Sequence, residues 1–275
     1  MSLKSILARY ILNIYHKLVA KEANFYGWKP GLPDHRDLKY SVTRMAAEAP
    51  ETLPASVDLR SKLPACWDQG QIGSCTAHGI SATLVFDEAF EKETFLMPSR
   101  LFIYFNERDM EGTITSDAGG EIRDGIKSVA SLGFADENSW PYVEAKFTVK
   151  PPQVAYDTAV KHKALTYMSL DNTKLDELKS CLAAGFPFVF GFTVYDGFES
   201  DEVAKSGVLN MPGPNEQTQG GHCVCCVGYD DATKRFLVRN SWGPEWGQNG
   251  HFTMPYEYMT SSDLADDFWT IRKIS

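Results

Sequence analysis

The pattern of apolar residues changes near residue 160, and this change constrains the fold more than any other feature of the chain. Before this point, loops alternate with segments whose apolar residues recur at helical intervals. After it come short runs rich in β-branched and aromatic residues, such as Phe186–Tyr195. Helices and strands that are segregated along the chain are typical of the α+β class. We therefore predict an α+β fold, with a helical lobe at about 60–160, an antiparallel, β-barrel-like lobe at about 161–275, and a site in the cleft between them.

Four helices and six strands are predicted after residue 60. The helices are predicted at Thr76–Glu91, Met97–Asn106, Glu121–Ser131 and Lys174–Ala184. The strands are predicted at Ala164–Leu170, Phe186–Tyr195, Cys223–Tyr229, Arg235–Arg239, His251–Met254 and Phe268–Ile274. The acidic tract Ser261–Asp267, which precedes the last of these strands, is predicted to be a loop.

Charge and cysteine content exclude several classes of protein. The 275 residues carry a formal net charge of −9, and nucleic acid is not expected as a partner, because phosphate binding needs a basic face. No apolar run approaches the length of a membrane-spanning helix, so a membrane partner is also not expected. Six cysteines in a chain of this length imply no disulfide framework. We expect a monomer.

Residues 1–23 form an amphipathic segment that has three interpretations. Its apolar residues fall on one face of a helix, and basic residues occupy much of the rest. A secretory signal is disfavoured because Arg9, Asn13 and His16 interrupt the apolar run. A membrane-surface helix is one alternative, but we favour a helix that docks on its own protein. Localisation stays open between the cytoplasm and export by a non-standard route.

The loop before the first predicted helix has the layout that acyl transfer needs. Cys75 stands at the first turn of this helix, where unpaired N–H groups and the helix dipole favour negative charge. A lowered thiol pKa and a more reactive thiolate are therefore predicted. Gly70 and Gly73 let the backbone approach a substrate closely, and Gln69 offers a neutral N–H donor beside the sulfur.

This loop, taken together with two downstream segments, resembles the active site of the papain-like cysteine peptidases. The loop Gln69…Gly73-Ser74-Cys75 is followed about 150 residues later by Gly220-Gly221-His222. The segment Asn240–Gly250, which reads Asn-Ser-Trp-Gly-Pro-Glu-Trp-Gly-Gln-Asn-Gly, comes next. The order Gln, Cys, His, Asn and the spacing both match the family. The resemblance implies a papain-like fold of two lobes.

The resemblance also divides the chain into an extension and a peptidase domain. Leu53–Arg60 is similar to the start of the mature enzymes, so 53–275 is the expected peptidase domain of a bacterial-type member. Residues 1–52 are then a short extension that is pro-like or regulatory, as in a zymogen. We expect the extension to dock on its own peptidase domain near the cleft and to limit access through Tyr26 or Trp28.

The matching positions belong to the catalytic machinery of the family. Cys75 is the implied nucleophile, and His222 is its implied partner, as imidazolium beside the thiolate and as the acid that protonates the leaving amine. Asn240 is implied to fix the tautomer and tilt of His222. Gln69 and the backbone N–H of Cys75 are implied to form the oxyanion hole. Trp242 resembles the aromatic side chain that covers the bond between histidine and asparagine.

Three glycines and Trp242 are assigned to substrate binding. Gly120 corresponds to the second glycine of a family pair, here Gly119-Gly120, whose backbone N–H and C=O bind the substrate as an added strand. The residues alone favour a plain helix-entry turn at this position. Gly221 precedes His222 at a position where family members often have an acidic or polar residue.

The segment His222–Cys226 is rich in residue types that bind metals. On a strand, however, Cys223 and Cys225 face one way, whereas His222 and Cys226 face the other. One metal ion cannot collect ligands from both faces. We expect no metal and no cofactor, and we predict that these cysteines fill small positions in the core.

The function implied by the resemblance is that of a cysteine endopeptidase, which hydrolyses protein or peptide substrates through a thioester acyl-enzyme. Two alternatives stay open. The same triad could transfer the acyl group to an amine or an alcohol, or the chain could be a catalytically silent scaffold that binds peptides in its groove.

Overall fold

The computed structural model describes residues 25–32, 34–42, 50, 52–91 and 96–274. The helix predicted within residues 1–23 lies outside the described residues. The α-helices are α1 (Cys75–Glu91), α2 (Arg100–Glu111), α3 (Ile122–Ser131), α4 (Gln153–Ala159), α5 (Leu175–Ala183), α6 (Asp201–Ser206) and α7 (Tyr256–Met259). The strands are β1 (Ser56–Asp58), β2 (Ala164–Ser169), β3 (Phe188–Tyr195), β4 (Thr218–Asp230), β5 (Arg235–Arg239), β6 (His251–Pro255) and β7 (Ala265–Ile274).

The strands of the described chain form one antiparallel sheet of seven strands. Its order is β2-β7-β3-β4-β5-β6, and β1 pairs with β4. Strand β4 is central, because it pairs with β1, β3 and β5. One face of the sheet encloses a core rich in aromatic side chains, including Phe188, Phe190, Phe192, Phe236, Phe252 and Phe268. This core holds β4 and its histidine in a fixed position.

Helix α1 lies between the helical lobe and the sheet. Ile80 and Leu84 are fully buried in a core that also contains side chains of α2 and α3. On its other side α1 packs against β3 and β4, where Gly79 contacts Val189 and Cys223. Fully burying an aliphatic side chain contributes about 1.5–3 kcal/mol, so both contacts fix α1 firmly. Cys75, the first residue of α1, therefore lies at the junction of the two lobes.

The α+β class and the order of helices followed by strands are confirmed, and the element ends differ from the prediction by a few residues. Helix α2 begins at Arg100 instead of Met97, because the Ser99 side chain caps it by accepting from the Phe102 N–H at 3.1 Å. The helix ends where Gly112 adopts the left-handed conformation, with φ of 70°.

The loop predicted over Ser261–Asp267 is wrong for its last three residues. Ala265 and Asp266 belong to β7 and pair with Phe192 and Gly191 of β3. Asp267 has a positive φ of 64°, and its carboxylate accepts a hydrogen bond from the Trp269 indole at 2.8 Å. The acidic residues are therefore tolerated in a strand, because the sheet supplies partners that local sequence does not reveal.

The described part of the extension crosses both lobes. Trp28 forms a parallel bridge with Gly120 of the helical lobe, and Lys39 forms another with Ser169 at the end of β2. Tyr40 is 1% exposed and belongs to the core of the sheet. Asp37 forms a partly buried ion pair with Arg123 of α3 at 2.6 Å. Residues Phe25–Lys29, here called the cleft segment, lie over the junction that contains Cys75.

Candidate active site

Cys75 is a free, fully buried thiol at the N-terminus of α1. Its Sγ accepts a hydrogen bond from the backbone N–H of Cys223 at 3.4 Å. Cys223 follows His222 on β4, so the helical lobe and the sheet meet at the sulfur. The backbone N–H of Gly27, in the cleft segment, lies close enough to lower the pKa of the thiol. The structure thus brings the predicted nucleophile next to the strand that carries the predicted histidine.

His222 is paired with Asn240, as the sequence comparison implied. The distance from His222 Nε2 to Asn240 Oδ1 is 2.8 Å, and both residues are buried. Because the amide oxygen accepts, Nε2 carries the proton and Nδ1 is the basic nitrogen. Nδ1 has no hydrogen-bond partner among the described residues. That nitrogen is therefore available for proton exchange with a thiol.

Two tryptophans cover this pair. The Trp242 indole stacks on the His222 ring, with centroids 5.0 Å apart and planes inclined at 23°. Trp246 packs edge-on against Trp242 at 5.2 Å. These rings exclude water from the bond between His222 and Asn240, which strengthens the bond in the low-dielectric interior.

Gln69 is held with its amide N–H groups toward the junction. Its Oε1 accepts from the Ser241 hydroxyl at 2.6 Å, and its backbone N–H donates to the Ser241 carbonyl at 2.9 Å. With the oxygen engaged, Nε2 donates to the carbonyls of Ile72 and Phe25, each at 3.0 Å. The Phe25 carbonyl of the cleft segment therefore takes the donor that was predicted to bind an oxyanion.

The predicted substrate-binding glycines also contact the cleft segment. The Gly120 N–H donates to the Gly27 carbonyl at 2.7 Å, and the Gly120 carbonyl accepts from Lys29 N–H at 3.1 Å. Gly221 accepts from Trp28 N–H at 3.0 Å. Gly119 adopts a left-handed φ of 67° directly beside the Gly27 carbonyl. The cleft segment is thus an added strand between Gly120 of the helical lobe and Gly221 of β4.

Three side chains anchor this strand to carboxylates on both lobes. The Tyr26 hydroxyl donates to Glu199 at 2.6 Å, and the Tyr26 ring lies 5.7 Å from the His222 ring, edge to face. The Trp28 indole packs against the backbone of Gly191 and Gly221 and donates to Asp267 at 3.3 Å. Lys29 forms an ion pair with Glu111 at 2.5 Å.

The covered site holds the Cys75 thiol and the His222 imidazole in the neutral form. Burial raises the pKa of the Cys75 thiol to about 11, even though N–H groups of Cys223 and Gly27 act in the opposite direction. Burial lowers the pKa of His222 to about 4, although the hydrogen bond to Asn240 opposes this. The prediction of a lowered thiol pKa is therefore wrong for this arrangement, because desolvation outweighs the helix dipole.

Comparison with known proteins identifies the family of this chain. Residues 53–269 match the profile of the papain family cysteine proteases. The chain belongs to the papain family. An uncharacterized peptidase C1-like protein of Acanthamoeba polyphaga mimivirus is 41% identical over 272 residues, which cover 91% of this chain and 87% of the viral protein. Cysteine proteinase 3 of Entamoeba histolytica is 28% identical over 229 residues, which cover 80% of this chain and 70% of that protein.

Solved structures of papain-family proteins superimpose on this chain. Xylellain, a cysteine protease from Xylella fastidiosa, matches with a TM-score of 0.83 and 40% identity, covering 91% of this chain and 96% of xylellain. ProCathepsin B S9 from Trypanosoma congolense matches with a TM-score of 0.72 over 91% of this chain and 87% of that chain, and its 18% identity supports the fold alone. As a papain-family member, the chain is a cysteine endopeptidase that acts on protein or peptide substrates.

Two residues have a role in this papain-family site that the sequence analysis did not predict. Ser241, which orients Gln69, directly follows Asn240, so the motif contained a signal for it. Asp267, which binds Trp28, gave no signal, because the two residues are 239 positions apart in the chain. Long-range pairs of this kind depend on the folded arrangement.

Two features, a metal-binding group and a membrane span, are absent from the residues that the structure describes. No cluster of three or more His, Cys, Asp or Glu side chains suited to a metal ion occurs in that part of the chain. None of the helices in the same ranges is long and apolar enough to cross a bilayer. Cys223 and Cys226 pack in different cores, as expected for opposite faces of β4.

Proposed function

We propose that this papain-family protease cleaves peptide bonds with Cys75 as nucleophile and His222 as acid and base, and that the cleft segment keeps the full chain inactive until it leaves. The observation that carries the proposal is the meeting of the two lobes at one sulfur. Cys75 Sγ lies 3.4 Å from the backbone nitrogen of Cys223, the residue after His222. The Nε2 atom of His222 is bonded to Asn240 Oδ1 at 2.8 Å.

The catalytic cycle begins once the cleft is open and hydrated. The thiol of Cys75 passes its proton to His222 Nδ1, because exposure removes the desolvation that keeps both groups neutral. The thiolate attacks the substrate carbonyl, and the developing oxyanion accepts from Gln69 Nε2 and the backbone N–H of Cys75. The imidazolium protonates the leaving amine, which leaves a thioester.

The second half of the cycle regenerates the enzyme. His222, now neutral, takes a proton from a water molecule that attacks the thioester carbonyl. The tetrahedral intermediate collapses, the C–S bond breaks, and the sulfur leaves as the thiolate beside the imidazolium. Asn240 keeps the ring in one tautomer throughout, and Trp242 keeps bulk water from this bond.

Inhibition by the cleft segment is supported by the groups that it engages. The Phe25 carbonyl accepts a hydrogen bond from Gln69 Nε2. The Gly27 carbonyl accepts from the Gly120 N–H, and the Lys29 N–H donates to the Gly120 carbonyl. The Gly27 backbone N–H acts on the sulfur by lowering the pKa of the thiol. The segment thus occupies groups that would bind a substrate, so it acts as a cover.

A peptide-library assay tests the catalytic roles. Wild type and Cys75→Ala, each with and without Gly27→Ala to open the cleft, are incubated with the library, and products are identified by mass spectrometry. We expect hydrolysis that depends on Cys75 and is faster in the open background. Cleavage that survives Cys75→Ala would refute the nucleophile.

The same assay distinguishes the two alternative functions. A product that incorporates an added amine in place of water would indicate an acyl transferase. A Cys75 thiol that fails to react with iodoacetamide in the open background, together with no turnover, would indicate a silent peptide-binding scaffold. The intact nucleophile, imidazole, amide and oxyanion donor favour hydrolysis over the second alternative.

A further inference from the structure

The cleft has two functional walls that come from different parts of the helical lobe. One wall is the loop before α1, which carries Gln69 and leads into Cys75. The other is the loop before α3, which carries Gly120. A bound substrate must pair with Gly120 while its scissile carbonyl reaches Cys75, so the separation of these loops sets the reaction geometry.

A single carboxylate joins the two walls. Both oxygens of Asp117 lie 3.0 Å from the backbone nitrogen of Gly73, whose N–H donates to them. The Tyr104 hydroxyl donates to Oδ1 of the same carboxylate. The Tyr104 oxygen in turn accepts from the N–H of Gly119 at 3.3 Å. This chain of bonds leads from the nucleophile loop to the residue beside Gly120.

The side chains behind this carboxylate are rigid. Tyr104 is fully buried, and the guanidinium of Arg108 lies 4.0 Å from the centre of its ring. Arg108 is also buried, and its Nη1 donates to the carbonyls of Ile114 and Ser116 at 3.1 and 2.9 Å. The loop that presents Asp117 is therefore fixed from inside the helical lobe.

We propose that Asp117 is a positioning residue, which holds the nucleophile loop and the Gly119-Gly120 wall at the separation that peptide cleavage requires. The inference rests on the proposed function. Asp117 itself is exposed, so it can be substituted without creating a cavity. A hydrogen bond that involves a charged group is stronger than a neutral one, and small errors in the position of reacting groups reduce turnover steeply.

The test uses the full chain with Gly27→Ala as the open parent. Asp117→Ala removes the link, whereas Asp117→Asn keeps one oxygen that can accept from Gly73. Asp109→Asn, at an exposed carboxylate of α2, is the matched control. Peptide hydrolysis needs both walls, but alkylation of Cys75 by iodoacetamide needs only the sulfur.

We expect Asp117→Ala to lower kcat/KM for peptides by about 10-fold, with the alkylation rate changed less than about 2-fold. Asp117→Asn should retain most of the activity, and Asp109→Asn all of it. The inference is overturned if Asp117→Ala leaves peptide turnover unchanged, or if it lowers turnover and alkylation equally.

Tyr104→Phe gives a second test that keeps the buried ring. The decrease in kcat/KM that it causes should resemble the decrease caused by Asp117→Ala. The double variant should have a kcat/KM no lower than that of the more damaging single variant, because both substitutions break the same chain of hydrogen bonds. Losses that multiply would contradict the inference. An open parent without any turnover that depends on Cys75 would instead refute the proposed function, so the two failures can be told apart.

Discussion

Gly27 lies where a side chain does not fit. A substitution at this position is therefore the most direct test of whether the cleft segment covers the active site. A Cβ atom at this position would be 1.7 Å from the carbonyl oxygen of Gly73 and 2.5 Å from its carbonyl carbon. Both are backbone atoms of the nucleophile loop, so no side-chain rotation can relieve the clash. We therefore expect Gly27→Ala to expel the cleft segment while it leaves the peptidase domain folded.

The size of the expected effect follows from the steric overlap of this Cβ atom with Gly73. Inserting a methyl group into a packed site costs about 1–3 kcal/mol, and the displaced backbone also weakens hydrogen bonds worth about 0.5–1.5 kcal/mol each. A combined cost of about 3 kcal/mol raises the ratio of open to covered molecules roughly 150-fold. The measured gain in kcat/KM is expected to lie between about 10-fold and this ceiling, since the open fraction cannot exceed one.

The assay is hydrolysis of a short fluorogenic peptide by the intact full chain, whose length is verified by mass spectrometry before and after the reaction. Gly31→Ala is the matched control, because its Cβ would meet the flexible Glu121 side chain at 3.2 Å instead of backbone. A folded Gly27→Ala variant that is no more active than wild type would refute the reasoning that this segment covers the site.

Three further predictions concern the same cover and site. Trp28→Ala removes a side chain that is 9% exposed, and truncating a buried tryptophan costs about 3–5 kcal/mol, so peptide turnover by the full chain should rise at least about 10-fold. Acid should promote opening, because the covered state lowers the pKa of His222 from 6.5 to about 4 and so binds fewer protons. The effect, up to about 3 kcal/mol, develops as the pH falls from 6.5 to 4. It is read from the hydrogen-exchange protection factor of the Gly120 amide, which divides out the intrinsic pH dependence of exchange. Gln69→Ala, in the Gly27→Ala background, should lower kcat by about 10²–10³-fold with KM nearly unchanged, as measured by steady-state kinetics.

The pH prediction has an internal control. Burial raises the pKa of Asp267, although its hydrogen bonds from Trp269 and Trp28 act in the opposite direction, so this residue binds a proton more tightly in the covered state. Its contribution therefore opposes that of His222 as the pH falls. Asp267→Asn should steepen the acid-dependent opening. A protection factor of the Gly120 amide that rises as the pH falls, calculated with the intrinsic exchange rate at each pH, would contradict the sign derived for His222.

Much of the site could be predicted from the sequence because its signals are local. Cys75 precedes an apolar helical segment, His222 lies in a run of strand-forming residues, and Asn240 begins a turn rich in glycine and tryptophan. Each signal depends on neighbours within a few positions. The order of these motifs, together with the change from helical to strand periodicity, was sufficient for the fold class and the family.

Only the tertiary structure decided how these residues behave in the full chain. The helix start at Cys75 predicts a lowered thiol pKa, but burial of the sulfur in the folded chain raises the pKa instead. The contacts between Trp28 and Asp267, and between Gly73 and Asp117, join residues far apart in sequence. Burial and long-range hydrogen bonds arise when distant segments meet, and no local pattern of residue types encodes them. The sequence therefore determined which groups are predicted to react, and the tertiary structure determined that they are buried beneath the cleft segment.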